Sequence, residues 1–153
     1  MDQDAFRETY KEVNERFCAF EKSILINQCD CSQAERFCIA EREGVHCLSD
    51  QGQARCLEVL DLLREQARFA LRTKEDKAIL PHGKAMRIQV GGMRGIRHLL
   101  EQVEDEAVPD VFGLLVQAER HWGRLQEIPF SEVMPAIAAY KSKTRARRRR
   151  DRD

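Results

Sequence analysis

Apolar residues return at helical spacing in stretch after stretch of this chain, and that period limits its fold more than any other feature. Phe6, Tyr10, Val13, Phe17, Phe20 and Ile24 follow one another at intervals of four and three. An apolar stripe of that period is one face of an amphipathic helix, and it predicts a helix over 3–26. A second stripe holds Cys56, Leu60, Leu63, Ala67 and Ala70. Asp50 with Gln53 forms a capping box that opens it, and the helix is expected to end near Thr73. Met86, Val90, Met93, Leu100 and Val103 continue the pattern. Met86, Ile88 and Val90 also alternate, so a strand over 84–90 competes with the helix there. The helix is favoured because no second convincing strand offers a partner.

Val108-Pro109-Asp110 starts a further helix whose inner face is Val111, Leu114, Leu115, Ala118, Trp122 and Leu125. Pro129 interrupts it, and Ser131 is expected to cap a last helix that runs to Tyr140. Between the first two stripes, Ser32 and Glu35 read as a capping box. A short helix over 33–43 follows, stopped by Gly44 in the usual C-terminal place. The sum is an all-α, single-domain helical bundle of five to six helices. It spans residues 1–140 and carries a cysteine-rich loop–helix–loop corner.

That corner is the chemically distinctive part. Five of the six cysteines, Cys29, Cys31, Cys38, Cys47 and Cys56, lie within 28 residues, and four of them are nine apart. Nine residues is two and a half helical turns, which points successive side chains to opposite faces. A broken path that folds back on itself brings the sulfurs together better than one straight helix. Thiolates are soft donors that select iron–sulfur clusters, zinc or Cu(I). A cubane cluster accepts four thiolates from scattered positions, whereas structural zinc favours C-x2–4-C knuckles, which this chain lacks. The expected ligands are Cys29, Cys38, Cys47 and Cys56, with Cys31 as the alternate. An iron–sulfur cluster is the expected cofactor and zinc the alternative. Cys18, between Phe17 and Phe20, is expected to pack in the core and stand apart. Two plainer readings compete: disulfides pairing Cys29 with Cys56 and Cys38 with Cys47, or ordinary buried thiols.

No basic, apolar leader opens residues 1–5 and no apolar run approaches the ~20 residues of a membrane span. The expected location is therefore the cytoplasm, a reducing compartment that disfavours permanent disulfides. No catalytic set emerges. Cys47 beside His46 is not a nucleophile–base pair, because adjacent side chains rarely meet in the required geometry. His46 is a surplus candidate ligand, and His82, His98 and His121 are scattered. The Val90-Gly91-Gly92-Met93-Arg94-Gly95 stretch matches neither the dinucleotide fingerprint nor the P-loop. Its glycines read as close-approach points, and Arg87, Arg94 and Arg97 as a basic stripe. The function expected is a small metal-binding protein in electron transfer, redox sensing or service to a partner protein. The alternatives are a nucleic-acid-associated accessory protein with structural zinc, and a protein-binding adaptor.

Charge is zero overall but unevenly placed. Residues 141–153 hold eight basic and two acidic side chains, a net of +6, which leaves 18 basic and 24 acidic residues, or −6, for the rest. A segment with one apolar residue, Ala146, has nothing to bury and is expected to be disordered. Its arginines suit salt-sensitive phosphate contacts with nucleic acid. Deleting 141–153 is expected to leave the thermal midpoint nearly unchanged and to weaken any nucleic-acid binding. Differential scanning fluorimetry of the two chains checks this, and a large fall in midpoint would show the segment to be docked.

Overall fold

The computed structural model describes residues 3–70, 81–103 and 106–141. They form a predominantly helical fold with one two-stranded antiparallel sheet. In chain order the elements are α1 (Gln3–Val13), α2 (Glu21–Leu25), β1 (Ala34–Ile39), β2 (Arg42–Cys47), α3 (Asp50–Ala70), α4 (Pro81–Met86), α5 (Gly92–Glu101), α6 (Val111–Trp122) and α7 (Phe130–Ala139). No described helix is long and apolar enough to cross a membrane. Residues 71–80, where the second helix is expected to end near Thr73, residues 104–105, and residues 142–153 of the basic segment lie outside the described residues.

The helix expected over 3–26 is two helices, because backbone groups between them are used by β2. The Cys47 N–H donates to the Arg16 carbonyl at 2.8 Å, and the Cys18 N–H donates to the Val45 carbonyl at 3.1 Å. Phe17 forms a bridge to His46. Three residues drawn into pairing with a strand cannot also close helical turns. The stripe survives the break, since Phe20 and Ile24 beyond it are fully buried.

The short helix expected over 33–43 is a β-hairpin. Ala34 faces Cys47, Phe37 faces Gly44 and Ile39 faces Arg42. Ala40 makes the turn with a positive φ of 55°. The proposed capping box dissolves into other bonds. Ser32 N–H donates to Asp110 Oδ1 at 2.9 Å, and Glu35 pairs with His46 at 2.9 Å. Gly44 is not a helix stop but the floor under an aromatic ring. A Cβ there would fall 2.4 Å from Phe37 Cζ. Tertiary contacts have overridden a local preference.

The other expected helices form, but Ser49 rather than Asp50 caps α3, with Gly52 N–H donating to its Oγ at 3.0 Å. α3 buries Val59, Leu60, Leu63 and Ala67. Residues 84–90 are helical, and one π turn, Arg87–Gly91, links α4 to α5. That turn carries Gln89 into the core, where the Ser23 hydroxyl donates to its Oε1 at 2.9 Å. Ser131 lies inside α7 rather than capping it, with Pro129 at the N-cap. The glycines of 91–95 serve packing. A Cβ on Gly91 would sit 2.6 Å from Ile137 Cα, and one on Gly92 would sit 2.7 Å from Leu63 Cδ1. The first neighbour is backbone, the second the end of a flexible side chain.

That difference is measurable. Gly91→Ala should lower unfolding free energy by about 1–3 kcal/mol, the usual cost of overpacking. Gly92→Ala should cost less, because Leu63 can turn aside. Urea unfolding of both variants checks the order, and a Gly91→Ala protein as stable as its parent would contradict the close approach of the π turn to α7.

Candidate functional site

Four separate pieces of chain each deliver one cysteine to the same place. Cys18 lies between α1 and α2, held beside β2 by its N–H bond to Val45. Cys31 lies between α2 and β1. Its loop is tied to the start of α6 by Asp30 N–H to Val108 O at 2.8 Å and Val111 N–H to Asp30 O at 2.9 Å. Cys47 ends β2. Cys56 sits in the second turn of α3, whose start is fixed by Ser49: Gly52 N–H donates to its Oγ and Gln53 N–H to its carbonyl, both at 3.0 Å.

All four line one small cavity of about 20 Å³, together with Phe20, Gly52, Val111 and Phe112 among others. The lining is mostly apolar. Gly52 lets the Phe112 ring close against α3, for a Cβ there would meet Phe112 Cδ2 at 2.9 Å. Four thiols make six pairs, and in every pair a charge on one member pushes up the pKa of the other. Burial is the larger cause. It raises Cys18 to about 12, raises Cys31, and raises Cys56 further. The Cys18, Cys31 and Cys56 thiols are therefore held protonated at neutral pH.

Backbone donors oppose that trend at two of the sulfurs. Backbone N–H groups near these sulfurs favour the thiolate, that of Phe20 at Cys18 and those of Gln33 and Phe112 at Cys31. Phe112 is in the first turn of α6, so Cys31 also meets the positive end of a helix, which favours a thiolate. Cys47 differs: its thiol donates to the Ser49 carbonyl at 3.2 Å. Among the described residues, no three or more Cys, His, Asp or Glu side chains stand close enough together to form a ready-made single-ion site.

Of the five cysteines singled out by spacing, Cys31, Cys47 and Cys56 line the cavity. Cys29 and Cys38 do not. Cys29 is buried elsewhere, against Ser23 and Arg94, and its burial raises it to about 11. Cys38 is exposed on β1 opposite Glu43. Cys18, expected to stand apart, is the fourth lining thiol. All six cysteines are free. The nine-residue spacing misled because the expected helix over 33–43 is a hairpin, in which Cys38 falls on the far end from Cys47. No local signal marks Cys18: Glu15 and Arg16 before it are good helix formers, and the helix breaks there through pairing with β2.

The remaining candidates are absorbed by structure. His46 pairs with Glu35 and stacks on Phe37 with ring centroids 5.9 Å apart. Arg94 donates to Gln28 Oε1 at 2.7 Å and covers the Tyr140 ring, while Arg97 pairs with Glu101 at 3.0 Å. The basic stripe is thus partly folded into the molecule. The glycine stretch runs through helix, with no strand before it to aim a phosphate loop.

The thiol burial carries a pH signature. Cys18 goes from 9.0 in the open chain to about 12 when folded. Its contribution is fully present below pH 9 and is lost as pH rises toward 12, because the unfolded chain releases that proton first. The reduced, metal-free protein should lose stability across that window in urea titrations, and Cys18→Ser should flatten the loss. An identical slope in both proteins would contradict the burial of this thiol.

No family model, no curated protein and no solved structure matches the chain.

Proposed function

We propose that this is a small iron–sulfur protein that uses Cys18, Cys31, Cys47 and Cys56 as ligands, and that it serves electron transfer, redox sensing or a partner protein. The observation that carries the reading is the meeting of four thiols, from four separate segments, at one small apolar cavity. Ordinary core cysteines have no reason to gather. Burial of Cys18, Cys31 and Cys56 makes their thiolate forms unfavourable unless a cation is bound.

The lack of a C-x2–4-C knuckle favours a cluster over zinc. A tetrahedral zinc with Zn–S bonds of about 2.3 Å needs sulfurs about 3.8 Å apart, in contact with one another. Among the described residues no three of these side chains form a ready single-ion site, and a small void lies among the four thiols and their neighbours. A cluster places an iron at each corner and so takes thiolates set further apart. Bonded atoms also lie well inside van der Waals contact with sulfur, so the free void understates the room a bonded cluster has. The N–H groups at Cys18 and Cys31 suit this role, because donors to sulfur stabilise thiolate ligands and raise the potential of a cluster.

The chain's own residues supply binding and shielding. Phe20, Val111 and Phe112 keep water from the sulfurs. Ligation requires the thiols to shed protons that burial holds in place, so affinity should rise with pH. Nothing in the cavity resembles a substrate pocket, which fits a carrier or sensor better than a catalyst.

Anaerobic purification tests this directly. The expected result is a coloured protein with broad visible absorption and matched iron and sulfide. Cys18→Ser, Cys31→Ser and Cys56→Ser should lose the colour, while Cys29→Ser and Cys38→Ser should keep it. A colourless protein with one zinc per chain would replace the cluster with a structural ion. A colourless, metal-free and stable protein would overturn the reading.

A further inference from the structure

We propose that the cleft between α1 and the start of α2 binds a primary ammonium carried on an apolar stem, as a free amine or as the amino end of a peptide. None of the four thiols lines this cleft, and its ligand is independent of the iron–sulfur reading.

Phe6, Tyr10 and Asn14 recur four apart along α1 and its last turn, which the Asn14 N–H closes by donating to the Tyr10 carbonyl at 2.8 Å. The three line a cleft of about 570 Å³, and Phe17 and Glu21 line it too. That volume is in the usual range for small-molecule sites.

Asn14 is the residue that calls for a ligand. It is 6% exposed. Its Nδ2 donates to the Val45 carbonyl at 3.1 Å, which fixes how the amide lies, because a flipped amide would set Oδ1 against that carbonyl oxygen. Oδ1 is thereby left buried with no hydrogen-bond partner, a state that few groups of a native protein keep. Beside it, the Tyr10 hydroxyl donates to the Glu21 carboxylate. A hydroxyl engaged in that way has no donor left for a ligand. What remains to Asn14 Oδ1 and Glu21 is acceptor capacity, so the ligand must bring donors, and an ammonium brings three.

The aromatic lining suits the same group. Ring faces attract cations, and one ring of this set already does so: the Arg42 guanidinium lies 4.8 Å from the Phe6 centroid. Phe17 is 45% exposed and offers an uncovered ring to an apolar stem. Arg7, Lys11 and Glu15 also border the cleft. The two cations oppose an ammonium and Glu15 favours it, but all three are exposed and water screens them. The buried acceptors therefore decide the selection.

The test uses the full chain, reduced and metal-free. Phenethylamine serves as the free amine, and a short peptide with an amino-terminal phenylalanine serves as the peptide end. Phenethyl alcohol and the same peptide with its amine acetylated are the controls. Calorimetric titration should show the amine or the peptide binding at least about tenfold more tightly than its control, because a site of unpaired acceptors rejects an analogue without the donors. Whichever of the two binds more tightly identifies the source. The Asn14 side-chain amide resonances should shift on binding. Glu21→Gln should weaken the amine about tenfold through loss of a charge-assisted hydrogen bond. Phe17→Ala, at an exposed position, should weaken it severalfold with the fold intact by circular dichroism, which keeps the test open if Glu21→Gln unfolds. No binding of amine or peptide at about 10 mM would overturn the inference, since a built site is tighter than that. Equal binding of the controls would overturn it too, and so would shifts confined to residues away from the cleft. Iron enters none of these measurements, so failure here leaves the four-cysteine reading untouched.

Discussion

Two backbone hydrogen bonds, Cys47 N–H to Arg16 O and Cys18 N–H to Val45 O, hold the architecture of the N-terminal half. They are the reason that the first helix stops at Val13 and resumes at Glu21. They also place Cys18 within reach of the hairpin and of α3. Side-chain bonds reinforce the same seam: Asn14 Nδ2 donates to Val45 O, Arg16 donates to Cys47 O, and Gln53 Nε2 donates to Phe17 O. Without this seam, a continuous helix would carry Cys18 away from its three neighbours. The site is thus a by-product of a helix made to break.

Much of the C-terminal half was legible in the sequence, because α3, α5, α6 and α7 are long and bury one face each. Period alone is reliable when a face is buried along its whole length. The residues from 14 to 47 obey different rules. Phe37 and Gly44 look unremarkable in a row, yet across a hairpin the ring needs the missing side chain. Ser32 and Glu35 have the chemistry of a helix cap, but each finds a partner far away, at Asp110 or His46. The site was half legible for the same reason. Cys31, Cys47 and Cys56 follow from their nearness in sequence. Cys18 depends on a strand pairing that no local pattern announces, and Cys38 is lost because a strand alternates where a helix would not.

Burial sets the electrostatic terms on which these thiols operate. Apolar walls make the charged forms of Cys18, Cys31 and Cys56 unfavourable, and each charge worsens the next. A positive centre reverses both effects, so the same walls that penalise empty thiolates strengthen their bonds to a bound cation. On the proposed reading, ligation and folding of this corner would be coupled. The backbone donors at Cys18 and Cys31 set a preferred order among sulfurs that are otherwise chemically alike.

The strap that joins residues 28–31 to residues 108–111 has a consequence for how the protein is made. Cys29 bridges Val108, and the Gln28 carbonyl, Asp30 N–H and Asp30 carbonyl all bond to that later segment. All four lining cysteines precede residue 57, yet Val111 and Phe112, which close over them, come more than fifty residues later. A chain growing from its N-terminus therefore presents a complete set of thiols well before it can cover them. During that interval the sulfurs are open to oxidants and to whichever soft metal arrives first. On the proposed reading, loading of the thiols would depend on the conditions around a half-made chain as much as on the finished fold.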